Sequence, residues 1–136
     1  MRLAATIALV IGVGMLGAAP AGAAPVVTAL PETPGAVGTT EFTDTPSLED
    51  GRPQAIDSWS RTPGADAIAV HFAGGVPECH AVHAEVSETP DIVAVKLRSG
   101  VPPGSEDRVC VALGVLGSLV VPLGAPVGDR AVVSIT

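Results

Sequence analysis

From Arg52 onward the chain consists of short apolar runs separated by turn residues, and this pattern limits the possible fold more than any other feature. Runs of about four to eight residues bounded by Gly, Pro or Asp are typical of β-strands. The turn signals recur about every 8 to 12 residues, as they do in small all-β domains. We therefore predict that residues 52–136 form a small antiparallel β-sandwich of immunoglobulin-like size.

Individual strands are visible in this pattern. Residues 67–72 form the first clear run, which ends at Gly74-Gly75. Residues 80–86 alternate between apolar and polar side chains, and we expect them to pair as a hairpin with residues 92–97. Further strands are predicted at 119–123 and 131–135. The segment 108–116 fits a short strand or a single helical turn, because Val109, Val111 and Leu113 alternate while Ser105 could cap a helix.

The first 23 residues are predicted to be a cleaved secretory signal peptide. Arg2 supplies a positive start, residues 3–16 are uniformly apolar, and Ala21 and Ala23 fit a cleavage site after Ala23. An uncleaved membrane anchor is the alternative, because no charged residue lies between Arg2 and Glu32. A G-x-G-x-x-G match at 12–17 lies inside this segment, without the strand and acidic residue that dinucleotide binding needs. We expect a secreted or envelope-associated protein with no stable membrane insertion after cleavage.

Residues 24–51 differ in character from the chain that follows. Pro25, Pro31, Pro34 and Pro46 interrupt every candidate strand or helix in this segment. Thr, Gly and scattered acidic residues make up much of the remainder. We predict a largely disordered spacer between the signal peptide and the sandwich domain.

Composition excludes several classes of partner. The formal net charge is −7, and the seven basic residues form no cluster, so binding to nucleic acid or anionic lipid is disfavoured. Phe42, Trp59 and Phe72 are the only aromatic residues, too few for a stacking platform. We expect a monomer whose partner is a protein or a cell-wall component.

Cys79 and Cys110 are the only cysteines in the sequence. In an exported chain they are predicted to form a disulfide. The loop of about 30 residues that they close would contribute about 3.5–4 kcal/mol in the chain-entropy model. A reactive thiol or a metal ligand is the alternative role.

A set of motifs between Gly74 and Val133 resembles a recurrent domain of exported actinobacterial proteins of unknown function. Its outline is G-G-V-x-x-C, V-x-E-T, V-x-V-x-L, a second Cys, and an ending similar to P-L-G-D-R-x-V-V. The chain departs from this outline at Val127, where Leu is usual, and at Ala73 and His80, where aromatic residues are common. The resemblance implies export, a disulfide and a β-rich domain, and it implies no activity.

The three histidines, His71, His80 and His83, lie close together in the sequence. They could supply three nitrogens to a zinc or copper ion, and a metal-binding or catalytic domain centred on them is one hypothesis. Positions 80 and 83 of a strand point to opposite faces, however, which favours histidines in surface or hydrogen-bonded positions. Apart from this possible metal site, no cofactor is expected.

Other candidate sites are weaker. Asp129-Arg130 could form a recognition loop, although an internal pairing of Arg130 with a neighbouring acid or carbonyl is the favoured interpretation. Ser99 and Ser118 have no recognisable base partner, so we expect no enzyme. The favoured hypothesis is a non-catalytic binding or structural module of the cell envelope. A further alternative is an inhibitor that presents the proline-rich loop 101–106 to a protease.

Overall fold

The computed structural model describes Gly17, residues 24–35 and residues 37–136, and these residues form an all-β fold without a helix. The predicted signal peptide, residues 1–23, lies outside the described residues except for Gly17. Within the described ranges no helix is long and apolar enough to span a membrane. The strands are β1 (Val27–Ala29), β2 (Thr40–Phe42), β3 (Glu49–Pro53), β4 (Ser58–Arg61), β5 (Ala67–Gly74), β6 (Ala81–Glu88), β7 (Ile92–Val101), β8 (Val115–Pro122) and β9 (Ala131–Ile135).

The first sheet is organised around β7, the longest strand described. Along one edge β7 pairs antiparallel with β6 over eight residues, which confirms the predicted hairpin. Its other edge is shared by β9, which pairs in parallel with Ile92 to Val95, and by β3, which pairs antiparallel near Val101. Strand β1 extends the sheet beyond β9. Strands from the early, middle and late parts of the sequence therefore all pair with β7.

The second sheet has the order β2-β8-β5-β4. Strands β5 and β8 pair antiparallel over eight residues, from Ala67 with Pro122 to Gly74 with Val115. Strand β4 pairs antiparallel with β5, whereas β2 is parallel to β8. Antiparallel pairs thus dominate both sheets, and the parallel pairs β2–β8 and β7–β9 join segments far apart in sequence.

The core lies between the two sheets, as expected for a sandwich. Alternate residues of β5 and β7 face inward, because a strand directs successive side chains to opposite faces. Phe72 packs edge-to-face on Phe42, with ring centroids 5.1 Å apart. The fully buried side chains include Ile68, Val70, Phe72, Val82, Val93, Val95, Leu97 and Leu119. The predicted two-sheet all-β fold is confirmed.

The segment 24–51 corrects the prediction of a disordered spacer, because it contains β1, β2 and the beginning of β3. These strands have only three to five residues, too few to produce a clear alternating pattern. Its prolines do not interrupt them: Pro31 follows β1, and its carbonyl accepts a 3.0 Å hydrogen bond from the Trp59 N–H. Phe42 of β2 is buried in the core, so this segment is part of the folded domain.

The segment 108–116 also differs from its prediction. Residues 102–114 form neither a helix nor a strand, and β8 begins at Val115. This stretch connects the end of β7 in the first sheet to the start of β8 in the second. Among the described residues no strand pairs with this stretch, so the alternation of Val109, Val111 and Leu113 belongs to an irregular loop.

Candidate functional site: a disulfide-anchored loop

Residues 102–114, called the anchored loop here, are attached to the rest of the domain by the disulfide between Cys79 and Cys110. The two Cα atoms are 5.8 Å apart, and the pairing confirms the prediction. Cys79 follows the end of β5, and Cys110 lies near the tip of the loop. The disulfide thus fixes a long connection to the end of the sandwich where β5 and β7 end and β8 begins.

The first half of the anchored loop is folded against the domain by hydrogen bonds. The hydroxyl of buried Ser105 donates to the Pro102 carbonyl at 2.6 Å. The Arg108 N–H donates to the Ser105 carbonyl at 3.0 Å, and the Arg108 guanidinium donates to the Glu78 carbonyl at 3.2 Å. Two of these bonds lie within the loop, and the third ties Arg108 to Glu78, the residue before Cys79.

The second half, residues 109–113, exposes aliphatic side chains to solvent. Val109 is 94% exposed, Val111 71% and Leu113 57%. Valine and leucine are among the residues most often buried, so a cluster of exposed ones on a fixed loop is typical of an interaction site. The loop continues into β8, where Leu116 is also exposed.

The backbone of residues 109–113 is largely unpaired. The Leu113 N–H donates to the Val111 carbonyl at 2.9 Å. In the part of the chain that the structure describes, Val109, Cys110 and Ala112 make no backbone hydrogen bond to another segment. Unpaired N–H and C=O groups beside exposed aliphatic side chains form a surface that can accept another chain.

The three histidines lie on different parts of the fold and do not form one site. His71 lies on β5 and alternates with the core residues Val70 and Phe72, so its side chain lies on the opposite face of the second sheet from theirs. His83 lies on β6, in the first sheet, and bonds Asp44 at 3.0 Å. His80 precedes β6 at the end of the sandwich. No group of three His, Cys, Asp or Glu residues in the described ranges could hold a metal ion.

His71 takes part in a hydrogen bond that sequence reasoning did not find. Its Nε2 and the Ser60 hydroxyl share a hydrogen bond of 2.8 Å across the β4–β5 pair. Both residues are buried, and among the described residues Nδ1 of His71 has no hydrogen-bond partner. Burial lowers the pKa of His71 below its ordinary value. A serine only 3% exposed cannot be reached by a substrate, so this pair has the geometry of an internal contact.

His80 is held against the core beside the disulfide. Its ring lies edge-to-face with Phe42, with centroids 6.1 Å apart, and its Nε2 is buried with no hydrogen-bond partner in the part of the chain that the structure describes. Burial lowers the pKa of His80 as well. The ring also lies against Gly74, where a Cβ would come within 2.9 Å of Nε2. His80 therefore fills space between β5 and the turn that carries Cys79.

Arg130 makes internal contacts, and Asp129 beside it is exposed. The guanidinium donates to the carbonyls of Ala125 and Pro126, each at 2.9 Å. It also lies 3.1 Å from the carboxylate of Glu88 at the end of β6, and only 11% of the Arg130 side chain is exposed. These contacts tie the β8–β9 connection to the β6–β7 hairpin, as the interpretation based on internal pairing predicts.

Glu88 receives a second contact that strengthens this junction. The Gly124 N–H donates to its carboxylate at 2.7 Å. This hydrogen bond, together with the Arg130 guanidinium, lowers the pKa of Glu88 below its ordinary value. A shallow cavity of about 600 Å³ opens between Pro90 and Pro126, and two of the charged groups that line it, Glu88 and Arg130, are paired with each other.

Comparison with known proteins found no homologue of this chain. No family model, no curated protein and no solved structure matches it. The disulfide in a small all-β domain is consistent with an extracellular location.

Proposed function

We propose that the protein is an exported, non-catalytic module of the cell envelope that binds a protein partner through residues 109–113. The observation that carries this proposal is the exposure of Val109, Val111 and Leu113 on a loop that a disulfide fixes in place. An anchored loop loses little conformational entropy when it binds, so its apolar contacts contribute more fully to affinity.

The chemistry of the loop favours a protein over a cell-wall polymer. Aliphatic side chains fit apolar pockets on proteins, whereas carbohydrate binding generally uses aromatic platforms. Within the described residues, the aromatic rings of Phe42, Trp59 and Phe72 are all buried. The disulfide supports export, since such bonds persist mainly in oxidising compartments.

The test is affinity capture from envelope extract with the purified, disulfide-bonded protein. The binding variant is Val109→Ser combined with Val111→Ser, and the matched control is Val37→Ser, because Val37 is a fully exposed valine in a different segment. We expect the wild type and the control to retain the same protein, and the double variant to lose it. Equal retention by all three would show that the anchored loop is not the binding site.

A further inference from the structure

Strand β1 is the end strand of the first sheet, and its outer edge is open. Within the described residues β1 pairs only with β9. Val26 exchanges two backbone hydrogen bonds with Thr136, and the Leu30 N–H also bonds a β9 carbonyl. Because bonded residues alternate along an antiparallel strand, Val27 and Ala29 direct their N–H and C=O groups away from β9. These groups can pair with a further strand.

The other edges of the two sheets are covered or charged, as is usual for edges that must not pair with another chain. On the outer edge of β6, the Thr45 N–H donates to the Val82 carbonyl at 2.8 Å. Residues 31–33 lie along β4 in the same way. Strands β2 and β3 carry the exposed glutamates Glu41 and Glu49. Strand β1 has neither form of protection.

The charge around β1 permits contact with a second copy of the chain. Copies with a formal net charge of −7 repel each other wherever acidic side chains meet. No charged residue lies between residues 24 and 31. The nearest acidic side chain, Glu32, is already paired with Arg61 at 2.7 Å. This edge is therefore one that two like-charged copies can bring together.

We infer that β1 pairs antiparallel with β1 of a second copy, so that the two first sheets form one continuous sheet in a symmetric dimer. The two-fold axis passes beside Thr28, and Val27 of each copy lies opposite Ala29 of the other. In this register the Val27 N–H donates to the Ala29 carbonyl, and the Ala29 N–H donates to the Val27 carbonyl, on both sides of the axis. Such a contact uses the same surface on both copies and adds no third one. The dimer replaces the monomer that the sequence suggests.

The same register covers side chains that β1 leaves exposed. Val26 is 60% exposed and Val27 61%, and they lie on opposite faces of the sheet. In the dimer Val26 lies opposite Leu30 of the second copy, and Val27 lies opposite Ala29. Directly opposed apolar side chains are the pairs that stabilise neighbouring strands. The exposed apolar residues of one copy therefore meet apolar residues of the other on both faces.

Two prolines favour a second β1 over a longer strand from another protein. Pro25 and Pro31 occupy the next outward-facing positions on either side of Val27 and Ala29, and proline has no N–H. The Pro31 carbonyl also accepts the Trp59 N–H at 3.0 Å. A long partner strand would leave some of its own backbone groups unpaired against these prolines, whereas a second β1 matches the edge in length.

The first test is sedimentation equilibrium of the purified, disulfide-bonded protein over a wide range of concentrations. We expect a reversible dimer. Val27→Pro removes an N–H that points away from β9, so the domain should fold while the dimer loses a hydrogen bond on each side of the axis. We expect its dimer Kd to rise at least about 10-fold. The matched control, Val27→Ala, keeps the N–H and should have a smaller effect. Trp59 fluorescence confirms that both variants fold.

The second test is cross-linking, which does not depend on the folding of the proline variant. Two residues at position 28 would face each other as a non-hydrogen-bonded pair, with Cα atoms about 4.5 Å apart. A disulfide spans about 4.4–6.8 Å between Cα atoms. We expect Thr28→Cys to form a reducible covalent dimer under mild oxidation. Thr43→Cys, at an exposed threonine outside β1, should not. Peptide mapping verifies that the native disulfide is intact.

Three outcomes would overturn the inference. The first is a protein that stays monomeric at every concentration. The second is a dimer that Val27→Pro leaves intact and Thr28→Cys does not cross-link, because the copies then meet elsewhere. The third is a monomer that captures an envelope protein through this edge, shown by its loss with Val27→Pro, because the occupant is then a different chain. None of these outcomes affects the proposed binding function, which the Val109 and Val111 variants test separately.

Discussion

Gly117 on β8 lies directly opposite Phe72 on β5, and the aromatic ring occupies the space that a side chain at position 117 would need. A Cβ there would lie 2.6 Å from Phe72 Cε2 and 2.9 Å from a ring carbon of Phe42. The glycine thus allows the two rings to meet edge-to-face between the sheets. Since Phe42 belongs to β2, this single position couples the segment before residue 51 to the centre of the sandwich.

We predict that Gly117→Ala destabilises the protein by about 1–3 kcal/mol, because both rings must move to admit a methyl group. Gly114→Ala is the matched control, since a Cβ at that position meets nothing within 4 Å. Urea denaturation followed by Trp59 fluorescence measures the difference. A Gly117→Ala variant as stable as the control would show that the rings repack without cost.

Arg130 should be intolerant of replacement by lysine. Arg130→Lys keeps the charge but loses the planar group that reaches the Ala125 and Pro126 carbonyls and Glu88 together, so we expect a loss of about 2 kcal/mol. Arg52→Lys, at an exposed position, should change the free energy of unfolding by less than about 0.5 kcal/mol. Equal urea midpoints for the two variants would contradict the bridging role of Arg130.

Removal of the disulfide should lower stability with little loss of packing. Cys110 is exposed, so the effect of Cys79→Ser with Cys110→Ser arises mainly from the greater freedom of the unfolded chain. For a separation of 31 residues we expect a loss of about 2–5 kcal/mol. The wild type measured with and without a reductant provides the comparison. An unchanged melting temperature in both experiments would refute this expectation.

Stability should decrease as the pH falls below neutrality. Burial lowers the pKa of His71 and His80 in the folded state, so the unfolded chain binds more protons once the pH falls through the ordinary histidine value of 6.5. Glu88 has a lowered pKa too, but its contribution is lost only as the pH falls through the ordinary glutamate value of 4.5 and below. A comparison of pH 7.5 with 5.5 therefore isolates the histidines.

The measurement is the difference in unfolding free energy between those two pH values. We expect a smaller difference for the variant with His71→Gln and His80→Gln than for the wild type, whatever their absolute stabilities. A wild type that is equally stable at both pH values, or more stable at the lower one, would contradict the assignment of buried neutral histidines.

The sequence predicted the strands that have a strong pattern of their own. Residues 67–72 and 131–135 are apolar runs bounded by turns, and both are strands in the structure. The hairpin of β6 and β7 was predictable because its two strands are adjacent in sequence and its turn is short. The Cys79–Cys110 bond was predictable because the chain has no other cysteine.

Features that depend on distant partners could not be predicted in this way. Strands β1 and β2 are stabilised by β9 and β8, which lie about a hundred and about eighty residues away, and their own short sequences carry little signal. The exposure of Val109, Val111 and Leu113 was hidden for a related reason. Their alternation matches that of a strand, and only the missing neighbour identifies it as a loop.

The pairing of β1 with β9 has a consequence for how the domain can be attached to other structures. The Val26 N–H donates to the Thr136 carbonyl at 2.9 Å, and the Thr136 N–H donates back to Val26 at 3.0 Å. Anything fused before Ala24 or after Thr136 therefore leaves from the same corner of the molecule. A display partner joined at either position would be attached at that same corner, and a short linker between the two positions would permit a circularly permuted chain.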